Sequence, residues 1–211
     1  MRIRTLWVWG ALALASMAPG KLSGQVAWET PRMLGPHSPG GFGVYWLRAG
    51  TLPNDGDVVL VTWAAPGLPD GVSLRGGAGK GAGNEVAGFG GIDLNTPIAM
   101  HSEGQPVDLS WHTGVGLGYG QYLLVTVPLG LSAGRAWSSG AVWAAPYASV
   151  GVALDLHMGG DAPDEEFDLG PSADLGLDLS LDGNRRFVLR AAVSLGDRQA
   201  LAVGGSFRTG R

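Results

Sequence analysis

Three residues on one stretch, Asp108, Ser110 and His112, have the types that hydrolytic enzymes use for nucleophilic catalysis. A serine becomes a nucleophile when a histidine takes its proton and a carboxylate orients that histidine. Positions i, i+2 and i+4 share one face of a strand, with about 6.6 Å between successive members. That separation is too long for direct hydrogen bonds, so a triad would need a member from an adjacent strand, such as Asp93 or Tyr122. Polar lining of an enclosed face is the better reading of the three, and no catalytic residue is assigned.

Two further stretches have metal- or phosphate-binding composition. The acidic run Asp161–Glu166 lacks the ligand spacing of a calcium loop and reads as a solvated loop. The run Gly76–Gly83 lacks the Lys-Ser/Thr ending of a phosphate loop and reads as a strand entering a turn. No metal and no cofactor is expected.

The element that positions Asp108, Ser110 and His112 is a strand of unusual regularity. From Val107 to Gly120 the sequence reads VDLSWHTGVGLGYG, with apolar or aromatic residues at nearly every odd position. The even positions run Asp, Ser, His and then four glycines. The same period of two recurs along the chain, which predicts strands over 42–50, 57–65, 72–80, 85–94, 107–119, 122–133, 146–158, 167–181, 187–195 and 200–208. Asp-Gly and Pro-Gly pairs punctuate them, supplying the backbone angles that tight turns demand. Hairpin after hairpin implies an up-and-down antiparallel meander.

The polar face of these strands is not the face of a soluble protein. Charged residues make up 15% of the 211, and 37 are glycine, whereas a soluble domain carries about 25% charged residues. Beyond residue 24 there is one lysine, Lys80. The face opposite the apolar one is largely Gly, Ala, Ser and Asp, which fits an enclosed surface. Its charged members by alternation are Arg75, Asp93, Asp108, Asp155, Asp174, Asp178 and Arg190.

Residues 1–24 read as a secretory signal peptide, with Arg2 and Arg4 ahead of the apolar run Leu6–Ala18. Residues 25–41, with three prolines, read as an irregular leader or plug-like segment, and 42–211 as the main domain. Removing 1–24 takes Arg2, Arg4 and Lys21 and no acid, so 14 basic residues become 11 against 18 acids, a net charge of −7. A nucleic-acid partner is excluded by that balance, since phosphate binding needs a basic surface. There is no cysteine, hence no disulfide and no thiol chemistry.

A cysteine-free signal peptide, strands of about ten residues alternating in character, and aromatic residues near strand ends resemble the small β-barrels of bacterial outer membranes. The resemblance implies an all-β, closed antiparallel up-and-down transmembrane barrel of 8–10 strands, because an open sheet leaves backbone groups unsatisfied in lipid. It implies a lipid-bilayer partner, delivery by the outer-membrane assembly machinery, a Gram-negative-type outer membrane and a monomer. Trp46, Trp63, Trp111, Tyr119, Tyr122, Trp143 and Tyr147 are the implied aromatic girdle, and the charged residues named above line the lumen. The function expected is a non-catalytic structural, adhesive or envelope-integrity role. Three alternatives stand beside it: a narrow pore or barrel for a small or lipid-like ligand, an outer-membrane lipid hydrolase, and a secreted soluble barrel or sandwich. The orientation of Leu175, Leu177, Leu179 and Leu181 separates the last of these from the rest.

Overall fold

The computed structural model describes residues 31–49, 56–80, 86–120, 122–159, 166–196 and 199–208. Residues 1–24, read above as a signal peptide, and most of the acidic run Asp161–Glu166 lie outside the described residues. Every regular element described is a strand, β1 (Phe42–Ala49), β2 (Gly56–Trp63), β3 (Val72–Lys80), β4 (Val86–Ala99), β5 (Asp108–Tyr119), β6 (Leu123–Gly134), β7 (Trp137–Ser139), β8 (Val142–Met158), β9 (Phe167–Ser180), β10 (Phe187–Gly196) and β11 (Ala200–Phe207). Each long strand pairs antiparallel with its neighbour in sequence, β1 pairs with β11, and β6 pairs with β8 across the short β7. The result is a closed ten-stranded up-and-down barrel. Short β7 pairs only with the start of β8, through a hairpin whose turn glycine, Gly140, sits at φ 60°.

Strand boundaries depart from the sequence reading where proline and alanine hide the alternation. β8 begins at Val142, ahead of Pro146, and β4 continues to Ala99, with a register shift between Pro97 and Ala99. Pro128 lies inside β6, and the β5–β6 pairing is interrupted between Thr113 and Gly116. Proline offers no N–H to the ladder there. The Thr113 hydroxyl donates instead to the Pro128 carbonyl at 2.8 Å, which keeps the strands joined.

The barrel is apolar outside and polar inside. On β9, Leu175 is 51% and Leu177 43% exposed, while Asp174 and Asp178, which flank that pair, are buried at 3% and 1%. Leu179 is half-buried and Leu181 exposed. On β8 the outward positions run from Val142 through Val150, Val152 and Leu154 to Met158, with Ser149, Asp155 and His157 turned in. A soluble barrel or sandwich has the opposite polarity, so that alternative falls. The architecture is that of the small outer-membrane barrels, whose strands alternate apolar-out and polar-in.

An aromatic row crosses one rim. Phe187, Phe207, Phe42 and Trp63 are register partners in succession across β10, β11, β1 and β2, all facing out. The Phe187 and Phe207 rings lie 5.0 Å apart. At the other rim of β1–β3, Arg48, Asp57 and Lys80 are outward-facing register partners, and the Trp46 indole donates to Asp57 at 3.0 Å. Charge there marks the edge of the apolar band.

Candidate functional site: the barrel interior and its inner segment

The inner face of β5 carries Asp108, Ser110 and His112, and they do not hydrogen-bond to one another. Asp108 accepts from the His37 ring at 2.8 Å and from the backbone N–H of His101 at 2.5 Å. His112 Nδ1 lies 3.2 Å from Ser132 Oγ, whose own proton goes to the Leu34 carbonyl at 2.6 Å. The imidazole therefore donates to Ser132 and has no proton to take from it. Ser110 Oγ is buried and makes no hydrogen bond to either residue. The three side chains form no nucleophile–base–carboxylate relay.

Asp108, through His37, and Ser132, beside His112, instead take part in holding residues 31–38 inside the barrel. Four consecutive carbonyls of that segment are bonded by four different wall residues. Arg75 donates to the carbonyl of Arg32 (3.4 Å), Arg190 to Met33 (2.5 Å), Ser132 to Leu34 (2.6 Å) and Asn95 to Gly35 (2.9 Å). The donors stand on β3, β10, β6 and β4, on opposite sides of the ring. Met33 adopts a left-handed conformation, φ 56°, which turns successive carbonyls toward different walls. A buried irregular segment is stable only when its backbone groups are satisfied in this way.

Charge reinforces the seat. The Arg32 guanidinium meets Asp93 at 2.8 Å, and Arg75 meets the other oxygen of the same carboxylate at 3.1 Å. The Arg32 N–H donates to Asp174 at 3.2 Å, and Arg190 pairs with Asp178 at 2.7 Å. Three buried arginines thus face three buried aspartates. Such a network is tolerable in a low-dielectric interior only while every member keeps its partner. His37, the last of the segment's charged or titratable groups, holds Asp108 at the mouth.

Space for the segment comes from strand number and from glycine. Eight strands enclose an interior that wall side chains alone can fill; ten leave room for more. Tyr147 projects inward, and its ring occupies the place a side chain at Gly176 would need and packs 2.7 Å from where a Gly35 Cβ would sit. Gly130 plays the same part for His112, and Gly77 for Phe89. Beyond the segment, toward the opposite rim, apolar residues share the interior with buried Thr126, Asp155 and His157. Phe89 packs against the cluster that contains Leu47, Val58 and Leu60 and against that of Tyr122 and Leu124, and so links the two.

All seven charged residues assigned to the lumen by alternation, Arg75, Asp93, Asp108, Asp155, Asp174, Asp178 and Arg190, are buried on the inner face. The girdle assignment divides. Trp46, Trp63 and Tyr119 are exposed on the outer face, and Trp111 is half-exposed there. Tyr122, Trp143 and Tyr147 are turned inward at 4%, 4% and 7% exposure and do not belong to a girdle. The reason is parity: Tyr147 and Trp143 share odd numbering with Ser149 and Asp155 on β8, and Tyr122 shares even numbering with Thr126 and Ser132. Residues that sequence reasoning passed over are Arg32, His37, Asn95 and Ser132. Asn95 and Ser132 were accessible by parity alone; Arg32 and His37 lie in a segment with no period to read.

At the aromatic rim the β9–β10 turn is tied by one carboxylate. Asp182 accepts from the N–H of Arg186 at 3.1 and 3.2 Å and from that of Phe187 at 3.3 Å. Desolvation raises its pKa, but the backbone donors together outweigh this and hold the carboxyl below its ordinary value. A lowered folded pKa means the stabilisation is present above the unfolded value and fades as pH falls through the folded one. A carboxyl-carbon NMR titration is expected to show Asp182 ionising below the usual carboxylate range. In Asp182→Ala, amide exchange at Arg186 and Phe187 is expected to become faster and to lose that acid dependence.

No family model matches the chain, and no curated protein matches it. Among solved structures it is similar to a KdgM porin in complex with disordered oligogalacturonate, at 12% identity and TM-score 0.40, and to a KdgM porin at 10% identity and TM-score 0.36. Each covers 78% of this chain and 98% of the porin.

Proposed function

We propose that this chain spans the outer membrane of a Gram-negative-type bacterium as a monomeric, non-catalytic barrel with an envelope-integrity role, shut in its resting state by its own residues 31–38. The observation that carries this reading is the bonding of four successive carbonyls, from Arg32 to Gly35, to four separate strands. Bonds from four strands to successive carbonyls fix the segment across the lumen. The outward apolar band supplies the lipid contact, and the separate partners of Asp108 and His112, with Ser110 bonded to neither, support a non-enzymatic role.

A second reading, a narrow pore gated by the segment, is favoured by the wall behind it. If residues 31–38 withdrew, Arg75, Asp93, Asp174, Asp178 and Arg190 would line a wet path over that half of the barrel. Planar-bilayer recording tests both. The full chain is expected to pass no resolvable current, and steady conductance from it would overturn the closed reading. Deleting residues 25–41 separates the two: conductance in that variant supports the gate, and continued silence supports a barrier that the rest of the interior maintains.

A further inference from the structure

Outside the inner segment, at the aromatic rim, lies a vestibule of about 940 Å³. That is the size of a small-molecule site, about 300–1,000 Å³. Its floor is the end of the inner segment at His37 and Ser38, and its walls are the β2–β3 loop, the β9–β10 turn and the residue after β11. Three arginines line it, Arg185, Arg186 and Arg208, and among its described lining residues Asp70 is the one acid. This concentration of positive charge is unexpected in a chain of net charge −4.

The arginines are placed rather than scattered. Arg185 sits at φ 51° in the turn that Asp182 ties, with its guanidinium carbon 5.1 Å from the centre of the Trp143 ring. The Arg208 N–H donates to the Arg186 carbonyl at 2.9 Å, which joins the ends of β10 and β11 and brings the two side chains to neighbouring positions. Asp182 spends its carboxylate on backbone N–H groups. Guanidinium forks lining a concave, partly apolar space can bind oxyanions by charge-assisted, bidentate hydrogen bonds. Low-dielectric walls focus the field of such a cluster into the cleft.

We propose that this vestibule is a binding site for an anion bearing two or more phosphate or carboxylate groups, gripped by Arg185, Arg186 and Arg208 directly above the inner segment. Such an anion can come from solution or from a lipid headgroup, because Arg186 and Arg208 adjoin Phe187 and Phe207 at the lipid-facing rim.

The test uses the full chain in detergent, with folding checked by heat-modifiable migration. One arm titrates tripolyphosphate by calorimetry at low and moderate salt. The other measures retention of a diphosphorylated lipid, against a zwitterionic one, by native mass spectrometry. The expected result is saturable binding of at least one probe, weakened by salt and weakened by about ten-fold or more in R185A/R186A/R208A, given the usual worth of hydrogen bonds to charged groups. Binding of tripolyphosphate identifies a soluble anion as the source; binding of the diphosphorylated lipid alone identifies the headgroup. If neither probe distinguishes the folded triple variant from the parent chain, the proposal is wrong. Conductance plays no part in either readout, so this site and the closed-barrel reading fail independently.

Discussion

Replacing Leu175 by arginine is expected to destabilise the membrane-inserted barrel by about 2–4 kcal/mol, and replacing Leu181 by about 0–1 kcal/mol. Both leucines face outward, at 51% and 66% exposure. Leu175 stands near the middle of the outward series on β9, which runs from Phe167, whereas Leu181 lies just past the end of that strand. The cost of a guanidinium on the lipid face depends on depth, because a side chain at the middle must carry its charge through the full hydrocarbon layer while one at the rim reaches water. Urea unfolding from lipid vesicles measures the difference. Equal and small penalties at both positions would mean that the leucines do not meet lipid. The same variants serve as a control on solubility: a parent chain that stays monodisperse without detergent would contradict the membrane assignment outright.

The second large effect is expected inside. Arg190→Ala removes the partner of Asp178 and, at the same time, the donors to the Met33 carbonyl and to Ser38. An uncompensated buried carboxylate is costly, about 3–5 kcal/mol when one member of such a pair is deleted. Arg190→Ala/Asp178→Ala is expected to recover part of that loss, since no charge is then stranded. The part left unrecovered measures what Arg190 contributes to seating residues 31–38. Arg190→Lys keeps the charge but loses the fork that reaches Asp178 and Met33 together, so its loss is expected to lie between those of the parent and the alanine variant. An Arg190→Ala chain as stable as the parent, with residues 31–38 still protected from protease, would show that the network does not hold the segment.

Both experiments bear on what sequence patterning reveals. On β9, the repetition of Leu at 175, 177, 179 and 181 against Asp174, Gly176, Asp178 and Ser180 was enough to separate two faces, because side chains alternate with a period of two whatever the strand pairs with. The scarcity of lysine and the abundance of glycine on one face marked it as enclosed before any contact was known. Tyr122, Trp143 and Tyr147 teach a stricter use of the same rule. Their residue type suggested a girdle, but their parity matched Thr126, Ser149 and Asp155, and parity prevailed. An aromatic ring can fill a lumen as readily as it can mark an interface, and Gly176 and Gly35 give Tyr147 the room to do so.

β7 and the early start of β8 were not legible for a different reason. Trp-Ser-Ser is too short to show a period, and Ala144-Ala145-Pro146 blurs the apolar–polar contrast on which periodicity depends.

The sequence by itself determined that this chain is a set of two-faced strands and which residues share each face, because face membership is a local property of an extended backbone. Only the tertiary structure decided that ten strands close the ring, and that residues 31–38 occupy the space the ring encloses. Closure rests on the pairing of β1 with β11, and the seat of the segment on Arg32 with Asp93 and Asp174, Met33 with Arg190 and Leu34 with Ser132, separated by 61 to 157 positions. An irregular segment carries no period to announce its partners. Its place is set by the unpaired carbonyls it brings and by the charged donors that a closed, water-poor interior leaves to meet them.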